Sequence, residues 1–350
     1  MYFKKKTIAL IASSLLITSL SARDQIKIVG SSTVYPFSSS VAEEFGATTS
    51  FATPVVESTG TGGGIKLFCS GIDINTPDIA NASRRMKTSE FELCLQNGVT
   101  NISEALIGFD GIAIAQSSKI SSFNITKEQL ALAVAQLVPS KDGKSLIPNP
   151  YKKWSDINEA LPVREIIVYG PPKSSGTRDS FEELILQDVF KNISAYTTFY
   201  KQDEVANKKF KEYKDIRTDG AYIESGENDN LIVQKLTKNE LAIGIFGYSF
   251  LESNKDKVRA LEIDNILPTV ETISSGKYPV ARSMYFYIKN QHEKTVPALK
   301  EFTNLFMSEK MLANDGILSE LGLIPLNDEI RQIARNKVLN NELITKDSLK

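Results

Sequence analysis

The sequence predicts an α/β protein of two domains, on three observations. A short apolar strand, a loop rich in Ser, Thr and Gly, and a helix follow one another in that order three times, within 26–45, 54–71 and 165–186. Such units build open sheets whose ligands sit at the carboxyl ends of the strands. At 350 residues the chain exceeds the usual size of a single core. With 41% hydrophobic and 24% charged residues and a net charge of -1, its composition is that of an ordinary globular protein, and nothing in it points to nucleic acid or a membrane surface as partner.

Read from the N-terminus, Lys4, Lys5 and Lys6 precede an apolar run, Ile8 to Leu20, and small residues, Ser19, Ser21 and Ala22. This is the pattern of a secretory signal peptide over 1–22, cut after Ser21 or Ala22. The run is short for a transmembrane span, an uncleaved anchor being the alternative. The protein is therefore expected in the periplasm. In "IKIVGSSTVYPFSSSVAEEFG" a strand, Ile26–Val29, meets a turn of Gly30, Ser31, Ser32 and Thr33, after which Val34, Phe37, Val41 and Phe45 recur at near-helical spacing. In "PVVESTGTGGGIKLFCSG" the strand ends at Val56, Ser58–Gly64 is the loop, and a helix starts at Ile65. Cys69 and Cys94 are the two cysteines, and in an exported chain such a pair commonly forms a disulfide, two buried thiols being the alternative. Closing a loop of that size stabilises by about 3 kcal/mol, less any strain.

"ALIGFDGIAIAQ" reads as a strand with Asp110 inside an apolar stretch, and "KEQLALAVAQL" as a helix. "GPPKSSGTRDSFEELIL" is a strand end, a loop without a large hydrophobe, and a helix. "DNLIVQKLTKNELAIGIFGYSFLE" reads as helix, turn, strand, helix; "YPVARSMYFYIKN" as a strand; and "KTVPALKEFTNLFMSEKML" as helices. A charged, helical tail follows Asn327.

The third loop carries an oddity. Ser174, Ser175, Gly176 and Thr177 open its helix, and Arg178 stands in the first turn. A helix N-terminus is already positive, from unpaired N–H groups and the macrodipole. Hydroxyls and an arginine added there make sense if they face an anion. Three such loops aimed at one point would form a cage of N–H and O–H donors, with Arg178 and Arg84 offering planar forks for a tetrahedral oxyanion. Taken singly, each hydroxyl is an ordinary N-cap, Arg178 pairs with Asp179 or Glu182, and "GTGGG" is a connector. Neither a Walker loop nor a dinucleotide fingerprint is present.

"VGSSTVYPF", "ESTGTGGGIKLFCSG", "DIANASRRMKTSE", "GFDGIAIA", "SSGTRDSF" and "IGIFGYSF", in that order, span nearly all the mature chain. Together they resemble the periplasmic phosphate-binding proteins of high-affinity phosphate ABC transporters. The resemblance implies a type II periplasmic-binding fold, with two lobes and a hinge closing on inorganic phosphate, and delivery to a transmembrane permease. It places Ser32, Thr33 and Val34 in the first anion loop, Ser58 in the second, and Ser175, Gly176 and Thr177 in the loop of the other lobe. Some members carry their binding arginine ahead of that last loop, where this chain has Pro171, Pro172 and Lys173, so Arg178 takes the role here. Some also have Ser-Asp where this chain has Ser83-Arg84, and their carboxylate accepts the proton of phosphate.

Asp110 is the expected substitute for that acceptor, with Asp219 of "RTDGAY" next. Phosphate near neutral pH still carries a proton and sulfate does not, so a buried carboxylate rejects sulfate through an unpaired repulsion. Pairing of Asp110 with a structural arginine is the alternative. One lobe is expected to comprise 24–115 plus 281–350 and the other 116–280, with crossings near 110–116 and 278–285. The expected protein is a monomeric binding protein without catalytic residues, cofactor or metal. Sulfate, molybdate or a phosphate ester are the alternative ligands. An exported serine hydrolase is disfavoured: no GxSxG elbow exists, and the one histidine, His292, lies in "KNQHEKT", which reads as an exposed loop. A structural or adhesive surface protein would not need clustered hydroxyl loops.

Overall fold

The computed structural model describes residues 23–202, 215–226 and 228–349; the leader predicted over 1–22 lies outside them. In chain order the first half contains β1 (Lys27–Gly30), α1 (Tyr35–Thr48), β2 (Val55–Ser58), α2 (Thr61–Phe68), β3 (Ile79–Ala82), α3 (Thr88–Gln96) and β4 (Ile102–Ser117). There follow α4 (Lys127–Val134), a small hairpin of β5 (Leu137–Pro139) and β6 (Leu146–Pro148), α5 (Trp154–Ile157), β7 (Val168–Gly170) and α6 (Gly176–Phe181). Then come β8 (Tyr222–Glu224), β9 (Ile243–Gly247), β10 (Val258–Ala260) and β11 (Ala281–Lys289), with C-terminal helices that include Ala298–Phe306 and Asp328–Leu339.

The first strand–loop–helix unit forms as its pattern requires. Phe37, Val41 and Phe45 of α1 are buried at helical spacing. Phe45 meets Phe302 edge-on at 5.5 Å between ring centroids, which packs α1 against the Ala298–Phe306 helix. In α4, Thr126 caps the helix by accepting from Gln129 N, and the Gln129 side chain accepts from Thr126 N.

Among the described residues the main sheet has nine strands in the order β2-β1-β3-β11-β4-β9-β7-β8, with β10 on β4. β1, β2 and β3 are mutually parallel, and so are β7, β8 and β9. The long strand β4 joins the two parallel groups. Its residues up to Gly111 pair with β11, and Ile112 onward pair with β9. Both groups turn the carboxyl ends of their parallel strands toward this switch of partners, where an open α/β sheet places its ligand.

The last glycine of "GTGGG", Gly64, has a packing role. A Cβ on Gly64 would lie 2.3 Å from the Gly30 Cα, and one on Gly30 would lie 2.2 Å from the Asn81 carbonyl oxygen at a φ of +135°. Glycine at 30 and 64 therefore lets α2 lie directly on the end of β1. A satellite core of Ile65, Phe68, Phe91 and Tyr287 surrounds the Cys69–Cys94 disulfide, which joins the end of α2 to α3.

His292 corrects an expectation. Although it lies in a run of polar residues, it is 1% exposed. Its Nδ1 is 2.6 Å from Asp78 Oδ1, and its Nε2 is 3.1 Å from the Ile72 carbonyl oxygen. Arg23 binds the same carboxylate with Nη2, at 2.5 and 2.6 Å. Burial alongside pushes the Lys289 ammonium down to about 8. Asp78 precedes β3, at the end of the sheet opposite the carboxyl ends, so this histidine is a structural partner and not a base for a cleft serine.

Candidate oxyanion site

Two of the three hydroxyl loops meet. The loop after β1 and the start of α6, from the two parallel groups of strands, touch directly. Ser32 Oγ donates to Asp179 Oδ2 at 2.5 Å, and Thr33 Oγ1 lies 3.2 Å from Ser180 Oγ and 3.4 Å from the Gly176 carbonyl oxygen. A Cβ on Gly176 would sit 3.0 Å from the Ser32 carbonyl oxygen, so the approach depends on glycine there. Ser175 caps α6, its Oγ accepting from Thr177 N at 3.2 Å.

Beside this contact lies a cavity of about 370 Å³, lined by Ser32, Thr33, Asp110, Ser174, Ser175, Gly176 and Thr177 and also by Asp229, Gly247 and Ser249. Tyr35, Pro36, Phe37, Phe250, Leu321 and Gly322 complete the wall. Asp229 is 5% exposed, and its carboxylate accepts from Gly247 N at 2.9 Å. Asp110 accepts from Ser180 Oγ at 3.1 Å.

The other residues singled out from the sequence stand elsewhere. Val34 is in the core, with its N–H 3.4 Å from Ser31 Oγ. Ser58 ends the outermost strand, β2, and is exposed. Ser83 is turned onto α2, its Oγ 3.0 Å from Thr61 Oγ1. Arg84 forms a bidentate pair with Glu90 at 2.9 and 2.7 Å. Burial would raise the Glu90 carboxyl, but the Arg84 hydrogen bonds and charge outweigh it and hold Glu90 below its usual range.

Arg178 stands in the pairing that the sequence left open as the alternative. It is 2% exposed and does not line the cavity. One turn along the helix Glu182 accepts from its Nε at 2.6 Å, and Pro171 accepts from Nη1 at 3.3 Å. Its guanidinium lies 4.8 Å from the Tyr222 ring centroid. Burial pushes the Tyr222 hydroxyl up to about 12, against the pull of the Arg178 charge. The second acceptor candidate, Asp219, is held by Arg217 at 2.8 and 2.5 Å and by Lys152 at 3.2 Å. The Arg217 hydrogen bonds keep its carboxyl well below the usual range, so Asp219 serves that ion pair and not the cavity.

One buried charged side chain beside these loops escaped sequence reasoning. Arg282 of β11 stands directly opposite Asp110 of β4. Its Nη2 donates to Thr33 Oγ1 in the loop after β1 and to Ser180 Oγ in α6. The signal for it was present: an arginine inside the apolar strand "VARSMYFYI" needs a buried partner, by the same reasoning that singled out Asp110.

Residues 18–310 match the PBP superfamily domain. Over 96% of this chain and 88% of its relative, the sequence is 33% identical to protein SphX of Synechococcus elongatus. It is 31% identical to the phosphate-binding protein PstS of Staphylococcus saprophyticus, over 82% of this chain and 76% of the relative. The chain belongs to the PBP superfamily, in the family that holds SphX and PstS. Among solved structures it is similar to a "possible phosphate binding protein" from Planctomyces limnophilus, at 27% identity and a TM-score of 0.72, covering 92% of this chain and 100% of that one. An ABC-type phosphate transport receptor from Vibrio cholerae shares the fold, at 22% identity and a TM-score of 0.55 over 81% of this chain and 94% of that one. The fold is thus the two-lobed α/β fold of this family, and the cavity at the strand switch takes residues from beside both parallel groups of strands.

Proposed function

We propose that the protein binds inorganic phosphate in the interlobe cavity, outside the cytoplasm, and passes it to the permease of an ABC transporter without chemical conversion. The observation that carries this reading is the convergence of Ser32, Thr33, Ser175, Gly176 and Thr177, from the two parallel groups of strands, on one cavity that also holds Asp110. Hydroxyls and helix-start N–H groups suit an oxyanion. A carboxylate in the same wall suits an oxyanion that still has a proton to donate. Phosphate meets both requirements; sulfate meets only the first. The named phosphate-binding relatives support the same reading.

In this reading one lobe comprises 24–115 plus 281–350 and the other 116–280, with β4 and β11 as the connections. Val34, Ser58, Ser83, Arg84 and Arg178 shape the loops from behind and leave direct contact to the cavity residues. Calorimetric titration of the signal-free protein tests the proposal. Phosphate should bind with one-to-one stoichiometry and sulfate should not compete at equal ionic strength, since screening alters anion affinity. Tighter binding of sulfate or molybdate than of phosphate would overturn it.

A further inference from the structure

We propose that Arg282 is the cationic anchor of the bound anion, held at the hinge and not in either anion loop. The inference rests on the phosphate reading above. An anion in the cavity faces Asp110 in its wall, and Asp179 lies close by, accepting from Ser32. Without a cation these carboxylates would repel it. The two arginines that the loop sequences single out are already committed, Arg84 to Glu90 and Arg178 to Glu182.

Arg282, like Arg178, is outside the cavity wall, but it lies against two residues of that wall, Thr33 and Asp110. Its side chain is 7% exposed, yet the carboxylates near it leave it incompletely matched: Glu183, half exposed, takes Nη1 at 2.6 Å, and Asp110 Oδ2 stands 3.6 Å from Nε. Nε is buried with no hydrogen-bond partner. Nε and Nη2 share one edge of the planar guanidinium, and an oxyanion that takes the Nε hydrogen and displaces one of the two hydroxyls from Nη2 would meet that edge with two oxygens. Nη2 already meets the Thr33 and Ser180 hydroxyls, so this edge lies where the two loops converge. A hydroxyl that accepts from Arg282 keeps its own hydrogen to donate, so the arginine orients Thr33 as a donor while adding charge. Its place on β11, opposite Asp110, puts the cation and the proton acceptor side by side on the two strands that connect the lobes.

The test is phosphate calorimetry on the full mature chain, with thermal unfolding to establish that each variant is folded. Arg282→Gln removes the charge and the fork, and should weaken phosphate binding by about 30-fold or more. Arg282→Lys keeps the charge without the fork and should fall between, about 10-fold weaker than wild type. It decides the matter even if Arg282→Gln does not fold. Arg85→Gln, at a half-exposed arginine paired with Glu104, should leave the affinity unchanged within the scatter of the measurement. Wild-type affinity in the folded Arg282 variants overturns the inference alone. A wild-type protein that binds no phosphate overturns the reading beneath it.

Discussion

Arg178→Ala is expected to lower stability by about 3–5 kcal/mol, the cost of leaving one member of a buried ion pair without the other. The Arg178 guanidinium is 2% exposed, lies against Glu182, itself 9% exposed, and stacks on Tyr222. Truncation would take the Arg178 hydrogen bond and charge away from the buried Glu182 carboxylate and open a cavity beneath the aromatic ring. Replacing both partners by apolar side chains of similar size, Arg178→Met with Glu182→Leu, should recover most of the loss, because no uncompensated charge remains. Denaturant unfolding with an unchanged m-value checks both statements. Phosphate affinity of folded Arg178→Ala separates this account from the one the sequence suggests. Wild-type stability with lost phosphate binding would place the guanidinium at the anion.

For Asp110→Asn the expected change is in selectivity. A carboxylate in the cavity wall accepts the proton of hydrogen phosphate; sulfate offers none, and two acceptors then face each other. An unmet buried acceptor costs about 1–3 kcal/mol, so sulfate should gain about 10- to 100-fold in affinity when asparagine presents an N–H instead. Phosphate loses a hydrogen bond to its proton and should weaken less than sulfate strengthens. Paired titrations of wild type and variant at equal ionic strength measure both. If sulfate is excluded by the variant as firmly as by wild type, Asp110 serves only Ser180 and Arg282.

Much of the architecture was legible in the sequence because it is local. The apolar spacing of Val34, Phe37, Val41 and Phe45 sets the buried face of α1, and the three loop grammars mark the carboxyl ends of β1, β2 and β7. The cysteine pair marks the α2–α3 junction. Residues whose environment depends on distant chain were harder to read. His292 looks like a surface residue among its polar neighbours, and only Asp78, 214 residues away, explains its burial. Arg282 reads as one position of a strand until β4 brings Asp110 beside it. Arg178 shows the opposite error. Glu182, one helical turn on, was in plain view as a partner, and that ordinary i,i+4 pairing is what the structure contains. Ser58 and Ser83 failed as cavity residues for a topological reason. β2 is the edge strand, farthest from the hinge in its lobe, and the Ser83 hydroxyl is tied to Thr61 at the start of α2.

The central claim is that one oxyanion binds between the lobes, against both hydroxyl loops. Diffraction from crystals grown with arsenate, the heavier analogue of phosphate, tests it most directly, because the anomalous signal of arsenic locates the anion without assumptions about density. The account predicts a single strong peak in the cavity bounded by Ser32, Thr33, Asp110 and Ser175–Thr177. A peak elsewhere, or arsenate held by one lobe alone, would contradict it.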